Sequence, residues 1–167
     1  MKHADFVHLH NHSDYSMLDG ATTVTRMVER AAELRMPALA LTDHGSLFGA
    51  VHFHQAASKA GVKPIVGMEA YVTRGGRRDR NREALYHLTL LARDETGLRN
   101  LMRLSSLGYL EGFYYKPRVD HELLAQHAGG LLALSGCPQG EVPASLLLDD
   151  EEGAARTALW HRDLFGA

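Results

Sequence analysis

The stretch HLHNHSDYSMLDG, residues 8–20, sets His8, His10 and His12 at alternate positions and follows them with Asp14 and Asp19. Alternate residues of an extended chain point to one side, so imidazoles spaced this way can face a common point. Four later words, TDHG (Asp43, His44), GMEA (Glu69), YHLTLLA (His87) and SGC (Cys137), each carry groups of metal-ligating type. Imidazole and thiolate suit zinc-like ions, carboxylates suit manganese or magnesium and can bridge two ions, and mixed sets recur in multinuclear hydrolytic centres. Such centres activate a bound water and clamp the attacking and leaving oxygens of a phosphoester. Taken singly, each group has an ordinary explanation: a His-x-His pair is common in strands, and a lone cysteine is usually packing. The joint pattern is what points to a metal site.

These residues need elements to position them. Short apolar runs predict strands at FVHLH (6–10), PALALT (37–42), KPIVGM (63–68), YHLTLLA (86–92) and GLLALS (130–135). Between them lie helical patterns. TTVTRMVERAAELR carries Val24, Met27, Val28, Ala31, Ala32 and Leu34 near i, i+3, i+4 spacing, with threonines as caps and Pro37 closing it. SLFGAVHFHQAASKAG is expected to start at a capping Ser46 and end at Gly61, and DETGLRNLMRLSSLGYL to start at Asp94 with Leu98, Leu101, Met102, Leu104 and Leu107 in one stripe. The last segment, DDEEGAARTALWHRDLFGA, reads as an amphipathic helix with acidic residues at its N-terminal end. Strands alternating with helices predict an α/β fold around a mostly parallel sheet or barrel. Apart from His87, which lies within the fourth strand, the candidate ligands then fall at or just after strand C-terminal ends, which converge on one face in such folds. With no internal repeat or low-complexity tract, a single domain is expected.

Composition narrows the function classes. The 167 residues are 45% hydrophobic and 23% charged, with a formal net charge of −2, so a surface that grips nucleic acid over its whole extent is excluded and any contact with DNA must be local. Cys137 is the one cysteine and cannot form an internal disulfide. Without a long apolar run or a signal-peptide pattern, a cytoplasmic protein with no membrane contact is expected.

With these residues assembled, the chain resembles the polymerase and histidinol phosphatase (PHP) family, in the branch attached to bacterial replicative DNA polymerases. The matching words are FVHLHNHSDYSMLDG, ALALTDHGSLFGAVHFHQAA, GVKPIVGMEAYV, YHLTLLARDETGLRNLMRLSS, GFYYKPRVD and ALSGCPQGE, in family order over nearly the whole chain. The resemblance implies a distorted (β/α)7 barrel, C-terminally incomplete in this chain. It implies His10, His12, Asp19, His44, Glu69, His87 and Cys137 as metal ligands, with His8 as a supporting residue. Up to three divalent ions are implied for the complete domain, zinc or manganese first and iron or magnesium second. Glu69 would bridge two of them, His10 and His12 would hold one, His87 and Cys137 another, and Asp19 and His44 would complete a third. Glu69, Asp19 and His12 are accordingly the candidate catalytic residues. The family also uses a late Asp-x-His pair that this sequence lacks, Asp120-His121 having the wrong spacing, so the chain reads as an N-terminal piece with little nuclease activity of its own.

Three functions follow as alternatives. The first is metal-dependent phosphodiester hydrolysis, as 3′→5′ proofreading exonuclease, in a DNA-directed DNA polymerase. The second is a stand-alone phosphatase acting on a small phosphomonoester. The third is a non-catalytic scaffold that docks a separate proofreading subunit. The partners expected are single-stranded or primer-terminus DNA and the rest of a polymerase chain. Lys116 and Arg118 of FYYKPR, beside Tyr114 and Tyr115, are the candidate phosphate-binding residues. The arginine-rich loop at 74–82 is expected to be a solvated turn rather than a DNA contact. His52 and His54 are read as non-ligands, and His3, His121, His127 and His161 as surface residues.

Overall fold

A computed structural model describes residues 3–17, 19–80 and 85–166. Its elements run α1 (Val24–Glu33), β1 (Ala38–Leu41), α2 (Ala50–Ala60), β2 (Lys63–Thr73), β3 (Tyr86–Ala92), α3 (Glu95–Leu110), β4 (Arg118–Asp120), α4 (His121–Gln126), β5 (Leu131–Leu134), α5 (Glu141–Leu146) and α6 (Glu151–Phe165). The strands form one sheet in the order β1-β2-β3-β5, with β4 also paired to β2.

The long β2 organises the sheet. Its first half pairs in parallel with β1, Ala38 opposite Lys63, and its second half pairs antiparallel with β3, Tyr71 opposite His87 and Glu69 opposite Thr89. Register decides function here, because alternation sends Glu69 and Tyr71 to one face and Met68, Ala70 and Val72 to the other. The second face joins Leu88, Leu90, Leu101, Leu104, Val119 and Leu131 in the larger core. A smaller core holds α1 and α2 against β1 through Val24, Val28, Leu39, Leu41, Phe53 and Ala57. The result is an open α/β sheet, but it is mixed rather than mostly parallel: β3 runs against both β2 and β5.

Several local expectations are met. Thr23 caps α1, its hydroxyl accepting from Arg26 N, and Asp94 caps α3 by accepting from Gly97 N. Gly61 ends α2 with φ 72°, in the left-handed region. Others are corrected. Residues 6–10 form no regular strand: Ala40 N donates to His8 O and Thr42 N to Asn11 O, so three residues on one side span two on the other. The extra residue breaks the ladder, and side chains fill in, with Asn11 N bonding Thr42 Oγ1 and Asn11 Nδ2 bonding Ala40 O. Ser46 is not the cap of α2; Gly49 stands at that position without a side-chain bond, and Ser46 is buried. Met102 is 52% exposed and leaves the α3 stripe, which Leu101 and Leu104 carry. The short α4, α5 and β4 are absent from the sequence reading because three to six residues hold too little periodicity to register.

Candidate metal centre

Glu69 is 1% exposed in the middle of β2, further from the strand end than the sequence reading placed it, because β2 runs on to Thr73. Its backbone is fixed from the β1 side, Glu69 N donating to Asp43 O and Gly45 N to Glu69 O. Four imidazoles surround its carboxylate. His10 Nε2 lies 2.9 Å from Oε2, His12 Nε2 2.5 Å from Oε2, His87 Nδ1 2.7 Å from Oε1, and His44 Nδ1 3.5 Å from Oε2. Asp19 closes the outer side, with His44 Nε2 2.8 Å from Oδ2 and His12 Nδ1 3.3 Å from Oδ1.

His87 reaches the cluster by a different route, from within its strand as YHLTLLA places it. His87 sits near the start of β3, and because β3 is antiparallel to β2, its N-terminal end lies on the same rim. The loop after β5 brings Cys137, whose Sγ lies 3.8 Å from His87 Nδ1 and accepts from Gln139 N. Gln139 O in turn accepts from His87 N. Gly136 permits this approach, with φ 86° and a backbone so close that a Cβ would stand 2.6 Å from His87 O.

The turn carrying Asp19 has its own anchor, which sequence reasoning missed. Asp43, 1% exposed, accepts from Ser13 N and Ser16 Oγ at Oδ1 and from Ser13 Oγ at Oδ2. Asp43 is therefore a positioning residue, and the signal for it was the pair of serines beside the histidines. Gly20 completes the turn, its Cα so near Ser13 that a Cβ would overlap Ser13 O at 1.7 Å.

Charge and burial compete at each group. Burial would raise the Glu69 pKa, but hydrogen bonds with His10, His12 and His87 outweigh it and hold the carboxyl well below its ordinary range. The hydrogen bond with Glu69 raises His12, whereas burial lowers His44 despite its contact with Asp19. Burial works upward on Asp19 as well, yet His44 and His12 keep it low. Tyr71 is pushed up to about 12 by burial and by the charges of Glu69 and Asp19, so its phenol stays protonated.

The donor set fits divalent cations. Three groups, His10-His12-Glu69, His12-Asp19-His44 and His44-Glu69-His87, each have their ligand atoms within 4.8 Å of one another. His10 Nε2 and His12 Nε2 are only 3.2 Å apart and aim at the same carboxylate oxygen, a crowding that a shared cation relieves. Two buried polar atoms on this face, His44 Nδ1 and Thr89 Oγ1, have no hydrogen-bond partner. Six candidate ligands thus meet at one place, and Cys137 borders it through His87.

The remaining candidates are placed otherwise. His8 is exposed, its ring packing edge-on against Phe6 at 4.8 Å, so it does not support the cluster. Lys116 reaches the cleft above the cluster, its Nζ 5.1 Å from the Tyr71 ring centroid. Arg118 is corrected: it is 2% exposed and its guanidinium donates to the backbone carbonyls of Gly112, Arg77 and Asp79, which leaves it unavailable to a phosphate. Over its described residues the arginine-rich loop is mostly exposed, as expected, and it is also tethered. Arg74 bonds Glu141 and Ser145, Arg77 bonds Glu111 and Asp120, Arg78 pairs with Glu111, and Arg80 donates to Phe113 O. Arg82 lies outside the described residues. His52 and His54 are exposed on α2. His121 and His161 are not simple surface residues: His121 Nε2 lies 2.8 Å from buried Glu141 and stacks on Trp160, and His161 Nε2 lies 3.8 Å from the same carboxylate. His127 is half-buried beside Asn100.

The chain is 52% identical over 170 residues to the DNA polymerase III subunit alpha of Treponema pallidum (strain Nichols), matching 99% of this chain and 14% of that protein. It is 51% identical over 172 residues to the protein of the same name from Deinococcus radiodurans, matching 96% of this chain and 13% of that one. This chain therefore spans about one seventh of the length of these relatives. Among solved structures, a metal-dependent phosphoesterase described as putative, from Bifidobacterium adolescentis, aligns with a TM-score of 0.45 and 18% identity over 63% of this chain and 34% of that one. A family model for the PHP domain matches residues 8–167, and the chain belongs to the PHP family.

Proposed function

We propose that the cluster is a metal-dependent phosphodiester-hydrolysing site and that, in a complete replicative polymerase subunit, it works as a 3′→5′ proofreading exonuclease. The observation that carries this reading is the convergence of His10, His12, His44 and His87 on the two oxygens of buried Glu69, with His44 Nδ1 left without a hydrogen bond. His10, His12, Asp19, His44, Glu69 and His87 would hold up to three divalent ions, zinc or manganese before iron or magnesium, and Cys137 would assist beside His87. When bound, such ions supply Lewis acidity and a water of lowered pKa.

The chain's own residues do the rest. Lys116 places an ammonium in the cleft wall where a phosphate oxygen would lie. Tyr71, stacked on His44 at 5.3 Å and protonated through the neutral range, fixes that ring and offers a hydrogen-bond donor. Asp43 and its serines keep Asp19 against His12 and His44. The identity with polymerase subunits supports DNA as substrate, the remainder of a polymerase chain as partner and the cytoplasm as location. Among the described residues no helix is long and apolar enough to cross a membrane.

The test is digestion of a 3′-labelled single strand by the full-length protein. Stepwise, EDTA-sensitive release of the label that Glu69→Gln abolishes is expected. Label release unaffected by EDTA or by Glu69→Gln would overturn the reading, and hydrolysis confined to small phosphomonoesters would favour the phosphatase alternative.

A further inference from the structure

The cleft above the metal centre has a volume of about 720 Å³ and shares Asp19, His44 and His87 with the cluster. Aromatic rings also line it. Phe48 comes from the turn before α2, Tyr109 from the last turn of α3 and Phe113 from the loop that follows, and all three line the cleft. Their centroids run 5.7 Å from Phe48 to Tyr109 and 6.0 Å from Tyr109 to Phe113, the latter two rings only 15° from parallel. Phe48 is 65% and Phe113 48% exposed, although both belong to a residue type that folding normally buries. A contiguous row of exposed rings, assembled from separate elements beside a reactive cluster, is a surface that recognises something.

Charge identifies the occupant. Among the described residues lining the cleft, Lys116 is the one ammonium or guanidinium group. A ligand held mainly through its phosphates would need several such groups, whereas a single strand can gain its affinity by stacking bases on aromatic faces. A small phosphomonoester would leave the rings unused. We infer that Phe48, Tyr109 and Phe113 form a stacking platform for unpaired nucleobases, which holds a single strand so that a backbone phosphate reaches Lys116 and the cluster. This rests on the phosphodiester reading and adds to it the residues that select a base-bearing strand. Binding is then governed by stacking, with one phosphate contact.

Fluorescence anisotropy of the 167-residue chain tests this, with a short oligothymidylate and an abasic strand of equal length and charge, in EDTA so that no strand is cut. Preference for the base-bearing strand on the order of tenfold is expected. The slope of log affinity against log salt should stay near that of one contact, about −0.7. Phe48→Leu, Tyr109→Leu and Phe113→Leu together should bring the preference close to one, while Tyr109→Phe, which keeps the ring, should retain it. Equal affinity for the two strands, no binding of either, or an unchanged preference in the leucine variant would overturn the platform. The phosphodiester reading fails separately: base preference with no EDTA-sensitive cleavage by the metal-loaded full-length protein removes the hydrolytic role and leaves the platform standing.

Discussion

At the scale of the residue, the two basic side chains of FYYKPR part company. Arg118 spends its guanidinium on three backbone carbonyls inside the fold, while Lys116 reaches the cleft. Arg118→Ala should therefore destabilise the protein by about 2–4 kcal/mol in urea unfolding, because it strips buried acceptors of their donor. Lys116→Ala should leave unfolding unchanged within about 0.5 kcal/mol and weaken oligonucleotide binding instead. Asp43→Asn is a third case: it frees the turn of Ser13 and Ser16, so metal affinity should fall by tenfold or more, of the order seen for residues that orient ligands, as measured by zinc titration. The candidate ligands were legible in the sequence because their types are unusual and fall on the motifs of the family it resembles. Arg118 and Asp43 were not, because their roles depend on distant partners, Ser16 lying 27 residues from Asp43 and Arg77 41 residues from Arg118.

At the scale of the element, the loop that brings Cys137 leads straight into α5, and α5 is pinned through Glu141. Glu141 is 3% exposed and meets His121 from α4, His161 from α6 and Arg74 from the loop after β2. Burial raises the Glu141 pKa, but the hydrogen bond and charge of His121, joined by Arg74 and the charge of His161, together outweigh it and leave the carboxyl below its ordinary 4.5. Burial also lowers His161 from 6.5, against the charge of Glu141. Both depressions have the same sign for stability: the unfolded chain binds the proton more readily, so the stabilisation is present above the unfolded pKa and is lost as pH falls. For His161 the loss begins below about pH 6.5, and for Glu141 below about 4.5. His161→Phe should flatten the fall in melting temperature between pH 7 and 5 relative to the parent, as followed by circular dichroism. An unchanged slope would show that His161 takes up its proton as easily folded as unfolded. None of this was visible in the sequence, where His121 and His161 stand apart from any strand end and their meeting requires three helices to pack. The elements with long periodicity, α1, α3 and α6, were readable for the opposite reason: their patterns are local.

At the scale of the whole molecule, the candidate ligands come from residues 10–19, 44, 69, 87 and 137, so the segments that carry them span most of the chain. Alternation in β2 and β3 turns Glu69 and His87 toward one face while Met68, Ala70, Leu88 and Leu90 fill the core on the other. Cations held by these groups would tie the segments together, and each would add its binding energy to folding stability by mass action, about 2.7 kcal/mol at a hundredfold excess over the dissociation constant. The α/β class was legible from alternating patterns, whereas the antiparallel placement of β3 was not, because the strand reads alike in either direction. The most direct test of the metal centre is elemental analysis of the purified 167-residue chain after exposure to zinc or manganese and gel filtration. Retention of metal at one or more ions per chain is predicted, with loss in both Glu69→Gln and His44→Ala. A chain that retains no metal, or retains it equally in the two variants, would contradict a metal centre built on Glu69.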